Sequence, residues 1–287
     1  MSDRQALAYR ASAASVAARQ HGKFDLVRPV CIYALCEAHG VKVRFNDVAS
    51  MEGLYERTPE PRIYLSALRP LVRRAYTCGH ELGHHFFGHG STIDELREEG
   101  TLPSDNPQEF LAETFAAFTL MPTLGLRHAF AVRHWSPENA SPLRMLTVAS
   151  NFGVGYRTLI THLSYGIRVL SRQRATQLLR TTSRAIHATI CGEHLPSGLI
   201  VTDDHTNAPT IDAEVGMHVV LPAGIAVSSD VLAHVCNLGP QQLYKATRPG
   251  VARAASPDGH WSLFVRVARP NYVGRATFRH LEEELDD

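Results

Sequence analysis

The chain has 287 residues, of which 44% are hydrophobic and 20% charged, and its formal net charge is +1. That length suits two or three compact units with a sizeable core, and the near-neutral balance excludes a simple polycation that binds through bulk charge alone. No run approaches the ~20 apolar residues that a membrane helix needs, and the segment MSDRQALAYRASAASVAARQHG scatters charges where a secretory signal carries an apolar core.

Residues 1–65 combine a helical start with short apolar runs. CIYALCEAHG reads as a helix closing on Gly40, VKVRF alternates as a strand does, and PRIYL repeats the strand pattern beyond a turn at Pro59 and Pro61. In residues 67–89, Leu71, Ala75, Cys78, Leu82 and Phe86 recur at helical spacing and form one stripe for burial, with Gly88 and Gly90 as a stop. Residues 91–106 are acidic and polar and read as a loop. Asn106, Pro107 and Glu109 then give a cap, a first-turn proline and a third-position carboxylate. The helix that they start runs through EFLAETFAAFTLM and ends at Pro122. Residues 142–165 read as two helices around a turn at Asn151-Phe152-Gly153, and a longer helix over about 167–185 follows. From Cys191 onward, GLIVT, HVVLP, HVCNL and WSLFVRV read as strands between turns, before an acidic tail, LEEELDD. The five cysteines (Cys31, Cys36, Cys78, Cys191 and Cys236) form no CxxC pair, as expected of a reduced, cytoplasmic chain. Cys78 lies on the packing stripe and reads as an inert core thiol, while another cysteine could reach a metal as an inhibitory ligand.

His80-Glu81-Leu82-Gly83-His84 carries the chemistry. Residues four apart stand one above the other on a helix, so His80 and His84 can share one metal ion while the stripe of Cys78 and Leu82 packs on the other side. Glu81 is placed to take a proton from a water at the metal without binding the ion itself. A catalytic zinc site usually has three protein ligands and one open position. Glu109 and Glu113, four apart on the following helix, can supply the third ligand and a carboxylate that orients a ligand histidine. Glu109 is assigned as ligand and Glu113 as the orienting group. If Glu109 instead closes a capping box with Asn106, the two roles exchange. His85 and His89 read as packing or solvent-facing residues. Those two and Tyr55 are the candidates for the donor that steadies the transition state.

The run RIYLSALRPLVRRAYTCGHELGHHFFGHG, followed by EFLAETFAAFTLMP, resembles the ImmA/IrrE metallopeptidases over roughly residues 25–125. Ile63, Tyr76, Thr77, the HELGH run, Glu109, Ala112, Phe115, Ala116, Ala117, Leu120, Met121 and Pro122 fall on that family's pattern. Ser66 stands where Asn is usual, and Glu113 where Asp or Asn is usual. The resemblance implies an α+β chain. A gluzincin-like, mostly helical metallopeptidase domain with a small sheet would occupy residues 1–130. A helix-turn-helix-like helical segment would follow at 131–185, and a mixed α/β, GAF-like sensory domain at 186–287. It also implies Zn2+ as cofactor and a narrow substrate range. Members cleave a helix-turn-helix repressor, releasing genes of DNA-damage, stress or phage-defence responses.

Residues 139–192 contain no Asp or Glu but seven arginines. LTVASNFGVGYRTLITHLSYG within them resembles a helix-turn-helix, with Gly153 at the turn. Arg157, Arg168, Arg172, Arg174 and Arg180 are candidate phosphate contacts, and single-stranded DNA is a candidate activator. Arg248, Arg253, Arg266, Arg269, Arg275 and Arg279 add positive charge to the last domain, which favours an anionic partner. The expected function is therefore signal-controlled cleavage of a repressor. Two other classes stay open: a DNA-binding regulator whose metal site is vestigial or structural, and a zinc hydrolase of small peptides.

Overall fold

The structure is a computed structural model that describes residues 3–95, 105–192 and 198–281. The chain opens with α1 (Asp3–His21), rich in alanine, the best helix former. After α2 (Ile32–Ala38), Gly40 turns the chain at φ +72°, in the left-handed region where glycine meets no penalty. Three strands follow: β1 (Lys42–Asn46), β2 (Met51–Glu56) and β3 (Arg62–Ser66). Next come α3 (Leu71–Phe87), β4 (Thr92–Glu95), α4 (Pro107–Leu120) and α5 (Thr123–Ala131). A second helical run holds α6 (Pro142–Asn151), α7 (Tyr156–Thr161) with a π-helical turn at His162–Gly166, α8 (Arg172–Leu179) and α9 (Ser183–Cys191). Strands then dominate: β5 (Leu199–Val201), β6 (Thr210–Glu214), β7 (His218–Pro222), β8 (Ala226–Val227), β9 (Leu232–Leu238), β10 (Gln241–Ala246), β11 (Gly250–Ala255), β12 (Ser262–Ala268) and β13 (Gly274–Arg275). The described residues are mixed α/β, with helices and three small sheets.

Two compact units emerge. The first comprises residues 1–126 and 271–278. Its sheet has the order β13-β1-β3-β2-β4, with β1 and β3 parallel and the other pairs antiparallel. Val43 pairs with Ile63 and Phe45 with Leu65, and all four side chains are buried. The edge strand β13 arrives from far along the sequence, Arg275 pairing with Arg44. Helix α3 packs on β2 and β3 and, on its other flank, against α4. Arg19 ties α1 to the end of α4 from inside the core: it is 1% exposed, and its guanidinium donates to the Thr119 carbonyl at 2.6 Å.

The second unit comprises residues 127–270 and 279–287. Its strands form two four-stranded sheets, β5-β7-β10-β9 and β6-β12-β11-β8, which share one hydrophobic core. Val219, Leu221 and Tyr244 enter that core from the first sheet, and Ile211, Val265 and Val267 from the second. Between Gly198 and Pro270 the described residues are strands, turns and loops, so among the described residues of the expected mixed C-terminal domain helix occurs at α9 and in a 3-10 turn at Ala276–Phe278.

Several elements differ from the sequence reading. The single helix expected over 167–185 is two helices. Ser171 caps α8 by accepting from Arg174 N at 3.2 Å, and Thr182 caps α9 by accepting from Ala185 N at 3.1 Å. Such side chains compete for the backbone and favour helix starts over interiors. Of the expected loop at 91–106, Thr92–Glu95 form β4 on the edge of β2, and residues 96–104 lie outside the described residues. Strand β2 and helix α5 carry no strong pattern of their own. The acidic tail lies outside the described residues from 282 onward.

Candidate metal centre

Helix α3 begins after Pro70 and ends at Gly88, whose φ of +67° is left-handed. Of the expected stripe, Cys78 and Leu82 are fully buried, while Leu71, Ala75 and Phe86 are half-buried. The opposite face is buried as well. His80 is 5% exposed, and Glu81 and His84 are 0% exposed. A charged and imidazole-bearing face enclosed to that degree needs partners, and α4 brings one. The Nε2 atoms of His80 and His84 lie 3.0 Å apart. Glu109 Oε2 lies 3.3 Å from His80 Nε2, and Oε1 3.5 Å from His84 Nε2. Four donors around a zinc ion at ~2.0–2.1 Å would be spaced roughly 3.3 Å apart. Two imidazoles and one carboxylate at such spacing fit a divalent metal, and these three residues form the metal-competent group among the described residues.

Small residues let α4 come this close. A Cβ at Gly83 would stand 2.8 Å from Ala112 Cα, and one at Gly79 3.3 Å from Ala116 Cβ. The two helices thus meet along an antiparallel seam of Gly79, Gly83, Ala112 and Ala116. Glu109, one turn before Ala112, is carried over the histidines. Asn106 starts α4 by accepting from Gln108 N at 3.0 Å, with Pro107 in the first turn. The Asn106 cap and the Glu109 approach to the imidazoles therefore coexist.

Glu81 faces the sheet side of the centre. A Cβ at Gly53 of β2 would fall 2.7 Å from Glu81 Oε1 and 2.5 Å from Thr77 Cγ2, so the strand's missing side chain is the space that the carboxylate occupies. Two residues along β2, Tyr55 points to the same face, and its hydroxyl is 2.8 Å from His85 Nδ1. Tyr55 is 2% exposed, and burial raises the pKa of its hydroxyl. Burial also lowers the pKa of His85, with His39 and Arg57 adding to the effect. Glu113 follows Glu109 by one turn, and its main-chain carbonyl accepts from the Tyr76 hydroxyl at 3.1 Å. His89, which by sequence reads as a packing or solvent-facing residue and as a candidate donor, is set by the structure against a candidate ligand histidine. His89, beyond the end of α3, places its Nδ1 2.9 Å from His84 Nδ1. Its spacing from His84 falls outside helical periodicity, so only the turn at Gly88 reveals the proximity.

Cys78 is buried with its sulfur 3.5 Å from that of Cys36. Burial, then the Cys36 thiol, pushes its pKa up, as expected of a protonated core thiol.

The arginines expected at a nucleic-acid surface diverge. Arg157, Arg168, Arg172 and Arg180 are exposed, and Arg172 lies over the Tyr165 ring at 5.4 Å. Arg174 is half-buried and donates to the Ala140 carbonyl at 2.8 Å and to Gln177 at 3.2 Å. In the last domain the surplus positive charge is smaller than the sequence count implies. Asp212 accepts from Arg266 at 2.8 Å and from Arg279 at 2.9 Å, and Arg248 pairs with Asp230.

A buried pair of histidines four apart on one helix and a carboxylate from the next form a donor set that can hold a metal ion, with a glutamate between the two histidines. Residues 36–164 match the model of the IrrE N-terminal-like domain of the M78 peptidases, which supports the resemblance to the ImmA/IrrE metallopeptidases. A search of curated proteins finds no match. Among the described residues no helix is long and apolar enough to cross a membrane.

Proposed function

We propose that this chain is a zinc metalloendopeptidase that cuts a helix-turn-helix transcriptional repressor and so releases the genes which that repressor silences. The observation that carries the reading is the convergence of His80, His84 and Glu109 beside a fully buried Glu81, inside an IrrE N-terminal-like domain. His80, His84 and Glu109 hold the ion. With a glutamate from the following helix as third donor, the centre is of the gluzincin type. When bound, zinc polarises the scissile carbonyl and lowers the pKa of water toward ~7. Glu81 takes the proton of the attacking water and passes it to the leaving amine, as a positioned general base and acid does. Glu113 orients a ligand histidine.

Residues 131–185 are proposed as a helix-turn-helix-like segment and residues 186–287 as a GAF-like sensory domain that controls cleavage. Single-stranded DNA is the proposed activator. The exposed Arg157, Arg168, Arg172 and Arg180, in a stretch without acidic residues, support that choice. The enzyme would work in the cytoplasm, where such repressors bind, on DNA-damage, stress or phage-defence genes.

The test is cleavage of the helix-turn-helix protein encoded beside this chain's gene, with and without single-stranded DNA. Wild-type protein is expected to cut it at one bond, faster with DNA, and Glu81→Gln to leave it whole. Equal cutting with and without DNA would remove DNA as the signal. An intact repressor under every condition would refute the substrate assignment.

A further inference from the structure

We propose that His89 is a positioning residue of the metal centre: its Nδ1 accepts a hydrogen bond from the Nδ1–H of His84 and so fixes His84 in the tautomer whose Nε2 lone pair faces the ion. The inference rests on the metallopeptidase reading above.

The end of α3 sets the position of His89. Gly88 adopts a left-handed conformation, its N–H returning to the His85 carbonyl at 3.2 Å and that of His89 to the His84 carbonyl at 3.1 Å. This closing turn reverses the chain, as left-handed helix caps do. It folds the His89 side chain back over the last turn, where the two Nδ1 atoms lie 2.9 Å apart. The rings meet edge to face, their centroids 5.0 Å apart at 70°. Phe87 stacks on the other ring, 5.7 Å from it and inclined by 26°. Arg10 of α1 lies over Phe87 at 5.1 Å. The imidazole of His89 is therefore held by packing.

The protons then follow from counting. A neutral imidazole has one N–H and one lone pair. His84 Nε2 faces His80 Nε2 at 3.0 Å and Glu109 Oε1 at 3.5 Å, so its lone pair belongs to the centre and its proton to Nδ1. The partner of that N–H must offer a lone pair, so His89 carries its own proton on Nε2. Ligand histidines commonly donate their second nitrogen to a carboxylate or carbonyl. Here an imidazole takes that part, and it lies on the same chain segment as the ligand.

The experiment uses the full chain. Zinc affinity is measured by competition with a chromophoric chelator for wild type, His89→Leu and His89→Asn. In parallel, nitrogen-15 spectra of the histidine rings in the metal-free wild type report the tautomer of His84. His89→Leu is expected to weaken zinc binding ~10- to 100-fold. His89→Asn, whose amide oxygen can accept in place of Nδ1, should restore most of it, and the metal-free wild type should carry its His84 proton on Nδ1. Unchanged affinity in His89→Leu, equal losses in both variants, or a His84 proton on Nε2 would each overturn the proposal. The tautomer measurement needs no variant, so it decides even if a substitution unfolds the chain. A wild-type chain that takes up no zinc would instead refute the metal-site reading on which the proposal stands.

Discussion

A methyl group at Gly83 would lie 2.8 Å from the Ala112 main chain, and main chain cannot swing aside as a side-chain tip can. Gly83→Ala is therefore expected to force α3 and α4 apart, destabilising the fold by ~1–3 kcal/mol and drawing Glu109 away from the histidines. Denaturant midpoints and zinc competition on the same variant check both halves of this statement, and a variant with wild-type stability and affinity would contradict it. Gly53 works on the other side of the centre, where its missing side chain leaves room for Glu81. His80 with His84, and Glu109 with Glu113, are visible in the sequence because residues four apart on a helix share a face. The contributions of Gly53 and His89 are not. One depends on a strand crossing the helix and the other on a left-handed turn, and neither leaves a periodic mark.

Among the elements, legibility follows amphipathic pattern and capping chemistry. Helix α4 announces itself through Asn106 and Pro107, and α3 through its apolar stripe. Strand β2, with Glu52 and Gly53 in its middle, lacks the alternation that strands show when one face is solvated, because both residues are buried. Glu52 is held there by Arg73 of α3 at 2.7 Å, an ion pair that joins strand to helix. The β6–β12 pair shows how charge placed on strands is neutralised. Asp212 lies opposite Arg266 in the register, and Arg279 also donates to it. Burial alone would raise the Asp212 pKa, but the two guanidinium groups outweigh it and hold the carboxyl below its ordinary value. A carboxyl with a depressed pKa contributes stability above its unfolded pKa of ~4 and loses it as pH falls through the folded value. Asp212→Asn is thus expected to cost roughly 3 kcal/mol near pH 7. The difference from wild type should shrink as the solution is acidified below ~pH 4. Urea titrations across that range check it. A gap that stays constant with pH would assign the loss to packing.

At the scale of the whole molecule, the first unit includes residues 271–278, which follow both four-stranded sheets in sequence. Strand β13 joins β1 only after the chain has built both four-stranded sheets. Pairings across such a sequence distance cannot be read from local pattern, and the resemblance over roughly residues 25–125 gives no hint of it. The family match at residues 36–164 includes α6 and α7, whereas α8, α9 and both four-stranded sheets lie outside it. In the proposed peptidase the labour is divided: His80, His84 and Glu109 would bind the ion, and Glu81 would act on water. The most direct test measures zinc stoichiometry and cleavage of the repressor together, for wild type, Glu81→Gln and His80→Ala. One equivalent of zinc is expected in wild type and Glu81→Gln, none in His80→Ala, and cleavage by wild type alone. Cleavage by Glu81→Gln at the wild-type rate, or full zinc uptake by His80→Ala, would contradict that division.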